Sequence, residues 1–330
     1  VTRAARTWVV LLVVAVLVAA GSILVGDGDL SDPALRDTYL RLRGWRLACA
    51  ALAGSGLAVG GVLVQGLFRN PLASPSILGT TAGASLGGVA VLLLWRALLD
   101  GIAPAWFPAE FALPLGCVLG ALGALALLLA IAGRQPGVVA VLLTGFILSS
   151  LFLSVGGLLM SIAQNTWELG RAVVAFTLGG VEARGPRHVL LALPLVVGGL
   201  GAALAWSRHL DLLLSGEEEA AAMGVDVAQV RRWVIGWAAV LTAAAVAIGG
   251  NVAFVGLVVP HALRPFVGVN HRALAPAAAL GGAVFVVFAD ILVRLIPATG
   301  QIPLGVVTGL VGAPLFLWLL ARAARQGRLA

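Results

Sequence analysis

Lysine is absent from this 330-residue chain: all 21 basic residues are arginine. A P-loop sets a lysine on the nucleotide phosphates, and Schiff-base chemistry needs a lysine amine. The chain therefore carries no standard nucleotide-hydrolysing site, and any work driven by ATP requires a separate subunit. Charge of either sign is scarce, at 11% of residues, against about 25% in an ordinary soluble domain. There are two cysteines, Cys49 and Cys117, each inside an apolar run. They read as small core residues with no disulfide or metal role. The four histidines are scattered at His188, His209, His261 and His271. No metal-ligand cluster and no nucleophile–base pair stands out. The acidic residues form no chain with histidine of the kind a proton-coupled pump uses.

What is abundant is apolar. Hydrophobic residues make up 61% of the chain, and the mean hydropathy is +1.07. So few charges cannot solvate the exterior of a soluble protein this large, so lipid is the solvent. The apolar runs are continuous rather than alternating, which excludes a β-barrel. Runs of spanning length fall at 8–25, 47–66, 77–97, 112–132, 138–162, 189–207, 233–250, 252–266, 273–293 and 302–321. The expected architecture is an all-α polytopic membrane protein with ten spans in one transmembrane domain over 1–330. The 252–266 run is short and interrupted by proline. The 163–188 stretch is too polar to span, with a short surface helix expected at 172–181. No A-x-A-like cleavage site follows the first run, so it reads as a span rather than a cleaved signal.

An even number of spans puts both termini on one side. With that side cytoplasmic, the inner segments hold twelve arginines and five acids, and the outer segments nine of each. The positive-inside rule favours this orientation. The net charge of +7 is then a matter of topology rather than a nucleic-acid signal. Glycine, at 43 residues, sits inside spans at 54, 56, 60, 61 and at 79, 83, 87, 88, where small residues let helix backbones approach in lipid. Asp290 and Arg294 are one turn apart, at the spacing of an i, i+4 pair.

Four segments carry more specific information. Gln65-Gly-Leu-Phe-Arg-Asn-Pro-Leu-Ala-Ser-Pro-Ser-Ile-Leu-Gly79 follows a span, and Pro71 and Pro75 stop the helix. Leu214-Ser-Gly-Glu-Glu-Glu-Ala-Ala-Ala-Met-Gly-Val-Asp226 reads as a helix of two to three turns in an inner loop, within about 213–226. Ser215 and Glu218 have capping-box spacing, Glu217 and Glu218 suit the positive helix end, and Gly224 is a natural stop. As the longest polar stretch on the inner face, it is where a soluble partner would dock. Gly250–Arg264 contains Pro260, His261 and Arg264, with no second ligand beside the histidine. Gln301–Trp318 holds glycine and threonine inside the last span, for a path or for packing.

Together these segments resemble the FecCD family, the membrane permease subunits of ABC importers for iron–siderophores, haem and cobalamin. The resemblance runs from about residue 40 to 321. It rests on Gln65, Arg69-Asn70-Pro71-Leu72-Ala73, Gly224, Phe254-Val255-Gly256-Leu257, Pro260-His261, Arg264, Ile302-Pro303, Gly305-Val306-Val307-Thr308, Gly312-Ala313-Pro314 and Phe316. It implies ten membrane helices with both termini cytoplasmic, in the bacterial cytoplasmic membrane. It also implies a second permease subunit (a copy or a paralogue), two ATPase subunits that hold the ATP and Mg, and a periplasmic or lipid-anchored binding protein. No cofactor is implied for this chain itself, and no nucleic acid. Arg43, Arg46 and Arg294 correspond to outer arginines that receive carboxylates of the binding protein, a task suited to the rigid guanidinium fork; interfacial snorkelling is the alternative. Ser215, Glu217, Glu218, Met223 and Gly224 correspond to the loop in the ATPase cleft. The path would run along the fifth and tenth spans, with Gly137, Val138 and Val139 at an inner gate and Thr308 on the path.

The chain departs from the pattern in places. Arg43-Gly44-Trp45-Arg46 lacks the usual proline, Asn251 stands where proline is usual, Gln301 replaces a frequent acid, and Phe176 replaces a tryptophan. The function expected is a non-catalytic permease subunit that imports an iron–siderophore, haem or cobalamin-type substrate. A stand-alone secondary transporter or channel is the alternative, and Asp290 is its only strong coupling candidate. An intramembrane enzyme ranks below both.

Overall fold

The computed structural model describes residues 3–26, 28, 31–95, 109–132, 138–182, 184–296 and 302–325. Its helices are α1 Arg3–Leu24, α2 Arg36–Leu67, α3 Thr80–Leu94, α4 Ala109–Ala132, α5 Val138–Ala163, α6 Trp167–Leu178, α7 Pro186–Ala205, α8 Ser207–Leu213, α9 Glu217–Ala222, α10 Val227–Gly249, α11 Val255–Val267, α12 His271–Leu295 and α13 Leu304–Arg325. There is no strand among the described residues. Eight helices are long and apolar enough to cross a membrane, and α3 and α11 are shorter apolar helices. These ten account for the ten apolar runs, and the chain is a multi-pass membrane protein.

The interior is built on α2, buried almost continuously from Cys49 to Leu67, with α10 and α12 packed against it. A second apolar cluster gathers Ala84, Cys117, Val173 and Phe176 from α3, α4 and α6, and α10 joins it to the first. The outside is apolar: Val9, Val10 and Leu17 on α1, and Phe146, Ile147 and Leu151 on α5 are exposed. Polar groups lie within, among them Arg43, Gln65, His271, Asp290 and Thr308. That inversion is what a lipid solvent selects. Glycine makes the close crossings possible. A Cβ on Gly54 of α2 would run into the carbonyl of Gly282 on α12, and one on Gly120 of α4 into that of Gly83 on α3.

Two breaks in helical backbone lie inside the bundle. After α2, a 3₁₀ turn at Pro75–Leu78 ends on Gly79 at φ +77°, which redirects the chain into α3. Before α11, Phe254 adopts φ +65°, which is uncommon for a residue with a side chain. It is held against α13, where a Cβ on Gly312 would lie 2.5 Å from the Phe254 Cβ. Irregular backbone is tolerated at membrane depth only where protein covers it or a cavity lies beside it.

Three expectations change. α2 begins at Arg36, eleven residues before the apolar run, so Arg43 and Arg46 lie within a helix rather than a loop. The helix expected at 172–181 runs from Trp167 to Leu178 and is not confined to the surface: Gly170, Val173 and Phe176 are buried. Glu168 and Arg171 give it a polar face that hid it among polar neighbours. The capping box is not formed either. α9 is six residues long and starts at Glu217 after Gly216, without a side-chain cap. Gly216, at φ +136°, takes the cap position beside Ser215.

Candidate functional site

Near the C-terminal end of α12, Asp290 has no exposed surface. Arg46 of α2 meets it in a fork: Nε donates to both carboxylate oxygens at 3.0 Å, and Nη2 donates to Oδ1 at 2.8 Å. Arg294 approaches Oδ2 through Nη2 at 2.9 Å. The same guanidinium donates to the carbonyls of Ser22 and Val25 at 2.8 and 2.6 Å and to the Ser22 hydroxyl at 2.7 Å. Arg43 donates to the carbonyls of Ile23, Leu24, Gly26 and Gly28 at 2.9–3.2 Å. These carbonyls lie at and beyond the end of α1, where a helix leaves acceptors without partners. The three arginines thus tie α1, α2 and α12 together around one buried carboxylate.

Arg46 also reaches Glu182 at 3.5 Å. Glu182 lines a cavity of about 500 Å³ together with Gln164, Trp167, Arg171, Ile302 and Pro303. Beside it Arg184 donates through Nε to the Ile248 carbonyl at 3.1 Å, and burial holds its guanidinium below the usual arginine range.

The motif residues of the middle segments join distant elements. Gln65 is buried and donates through Nε2 to the carbonyls of Gly256 and Leu257, both at 3.3 Å. Arg69 at φ +50°, Asn70 and Pro71 form the turn that ends α2, and the Asn70 side chain accepts from the Leu72 amide at 2.9 Å. On α11, Pro260 is buried and the His261 ring stands edge-on to Phe316, 6.2 Å away. Arg264 lies in the last turn of α11. Thr308 is fully buried; its hydroxyl donates to the Gly305 carbonyl and accepts from the Ala253 amide at 3.3 Å, pinning α13 to the break before α11.

At the N-terminal end of α12, α8 buries Ser207, Leu210 and Leu213 and turns at Leu214–Gly216 into α9. α9 closes in a Schellman arrangement, with Val225 N–H donating to the Ala220 carbonyl at 3.0 Å and Gly224 N–H to the Ala221 carbonyl at 2.9 Å. Gly224, at φ +87°, supplies the left-handed residue this closure needs. Glu217 pairs with Arg231 of α10 at 2.8 Å, and Asp226 caps α10 by accepting from the Gln229 amide at 2.9 Å. Ser215, Glu218, Met223 and Gly224 are exposed on this elbow.

The profile of the FecCD transport family matches residues 6–322. The chain belongs to the FecCD family. It is 39% identical over 259 residues to the cobalamin import system permease protein BtuC of Halobacterium salinarum, an alignment covering 78% of this chain and 66% of that one. It is 40% identical over 259 residues to the Fe(3+) dicitrate transport system permease protein FecD of Escherichia coli, covering 78% and 77%. The chain thus spans just under two thirds of the first relative's length. The fold is similar to that of a metal-chelate type ABC transporter in an inward-facing conformation, with a TM-score of 0.84, 31% identity, and 96% and 99% of the two chains covered.

In this FecCD-family chain the sequence-predicted arginines do converge, but on internal partners. Arg43 is 6% exposed, and the side chains of Arg46 and Arg294 are 18% and 7% exposed. Arg46 is the one with appreciable accessible surface. Thr308 faces the interior, toward Ala253. Gly137 lies outside the described residues, as do the side chains of Val138 and Val139. Sequence reasoning missed Ser22, Glu182 and Arg184 as members of this cluster. A basic residue two positions after an acidic one, just past a helix, was the available signal at Glu182 and Arg184.

Proposed function

We propose that this chain is the membrane-spanning permease subunit of an ATP-driven importer and does no chemistry itself. The observation that carries the reading is the inner elbow. A six-residue helix with exposed Glu218 and Met223 is closed by a Schellman turn and follows α8, which is anchored by its buried Leu210 and Leu213. This is an exposed, acidic and apolar surface, suited to a cleft in a soluble partner. The lack of lysine agrees with a partner that holds the ATP and its Mg. The chain would work beside a second permease subunit, a copy or a paralogue, in the bacterial cytoplasmic membrane, with both termini cytoplasmic. The relatives named for cobalamin and Fe(3+) dicitrate support a metal chelate or corrinoid as cargo, with iron–siderophore and haem in the same class.

At the outer face a binding protein would deliver the cargo. Arg46 would offer its accessible edge to an incoming carboxylate, while Arg43 and Arg294 hold the helix ends that position it. A stand-alone ion-coupled transporter would need a carboxylate free to exchange its ion, whereas Asp290 is enclosed by two guanidinium groups. The test is co-purification with the ATPase subunit. Glu218→Arg combined with Met223→Glu is expected to abolish association without lowering the amount of permease in the membrane. Undiminished association would remove the elbow from the reading.

A further inference from the structure

The elbow is joined to the membrane helices by a polar clasp whose histidine is buried and whose carboxylate is partly exposed. Asp211 of α8 accepts two hydrogen bonds at Oδ1, from the backbone amide of His271 at 2.9 Å and from its ring Nδ1 at 2.5 Å. His271 is the first residue of α12 and is 2% exposed. One carboxylate oxygen thus fixes both the backbone and the ring at a helix start, where an anion is favoured. The other ring nitrogen, Nε2, is buried without a hydrogen-bond partner. It faces the end of α2, where a Cβ on Gly66 would run into it. Glycine at this position lets the ring sit directly on the α2 backbone. α8, α12 and α2 therefore meet at Asp211, His271 and Gly66.

Directionality gives the clasp its importance. Leu210 and Leu213 anchor α8 by apolar contact, which resists separation but is non-directional. An elbow held by such contacts alone can slide. Two donors on one carboxylate oxygen fix an orientation. Another polar tie from this elbow to a membrane helix, Glu217 to Arg231, ends on α10 rather than on α12 or α2. Beyond the clasp, α2 and α12 cross with backbone against backbone at Gly54 and Gly282.

We propose that Asp211 and His271 are a positioning pair that transmits movement of the α8–α9 elbow to α2 and α12, so that breaking the pair uncouples ATP hydrolysis from rearrangement of the membrane helices. The proposal rests on the importer reading above. It is tested on the permease with its ATPase subunits in proteoliposomes, carrying an Asn251→Cys reporter in the break before α11. Maleimide labelling is measured with and without ATP plus vanadate. Cys49 and Cys117 are buried, which leaves the reporter as the reactive thiol. In the parent complex, ATP trapping should change the labelling rate. Asp211→Ala and His271→Ala should bind the ATPase and hydrolyse ATP within about twofold of the parent. Their trapping-induced change should shrink at least fivefold. Asp211→Asn keeps an oxygen acceptor and should retain the change. If Asp211→Ala does not accumulate, Asp211→Ser is read in its place. An undiminished labelling change in the alanine or serine variant overturns the proposal, as does equal loss in the asparagine variant. Failure of the parent chain to bind any ATPase overturns the importer reading instead.

Discussion

Asp290 has no exposed surface and holds two guanidinium groups, so its neutralisation leaves both cations without their shared counter-ion. Breaking a buried pair from one side costs about 3–5 kcal/mol. Asp290→Leu is therefore expected to lower the melting temperature of the detergent-purified protein by many degrees, followed by intrinsic fluorescence. Glu182 provides the contrast within the same cluster. It sits 3.5 Å from Arg46 with a quarter of its side chain exposed, a geometry worth about 1 kcal/mol or less. Glu182→Gln should leave the melting temperature almost unchanged. Equal losses in the two variants would mean that the cluster is not organised around Asp290.

Helix crossings set the next level. Gly54 has no room for a Cβ because the Gly282 carbonyl occupies the space, whereas Gly236 on α10 has nothing within 4 Å. Overpacking a close contact costs about 1–3 kcal/mol. Alanine at an open helical site gains up to about 1 kcal/mol over glycine. Gly54→Ala should reduce the yield of folded protein and its thermal stability, while Gly236→Ala should maintain or raise both. The eight spanning-length helices and the two shorter apolar ones were legible from apolar runs because lipid imposes both length and composition. Glycine at Gly54, Gly83 and Gly87 pointed to close packing for the same reason. The outer arginines were legible as a group but not in their contacts. The polar first turns of α2 carry no apolar periodicity, and the partner of Arg46 lies 244 residues away in sequence. α9 was legible through Gly224, whereas the serine–glutamate spacing misled because Gly216 takes the cap position.

For the whole molecule, the two faces differ in what they offer, and the proposed orientation makes that difference testable. The face proposed as inner presents exposed Ser215, Glu218 and Met223 on the elbow, while the cavity on the face proposed as outer carries Trp167 and Arg171. Cysteine placed at Ser215 should react with an impermeant maleimide only in inside-out vesicles, and at Trp167 only in right-side-out vesicles. The reverse pattern would invert the proposed orientation. Energy coupling follows from the charge inventory. A transporter that runs on an ion gradient must bind and release that ion at an intramembrane group. Asp290, the strong candidate for that role, is occupied by Arg46 and Arg294, and among the described residues no group of three or more His, Cys, Asp and Glu side chains could hold a metal ion. Liposomes containing the permease alone should take up neither cyanocobalamin nor ferric dicitrate under an imposed proton or sodium gradient. Adding the ATPase subunits, the binding protein and ATP should start uptake of the cargo matched to that binding protein, and collapsing the gradients should not slow it. Gradient-driven uptake by the permease alone would show that Asp290 exchanges partners during transport, and would favour the stand-alone transporter over the importer subunit.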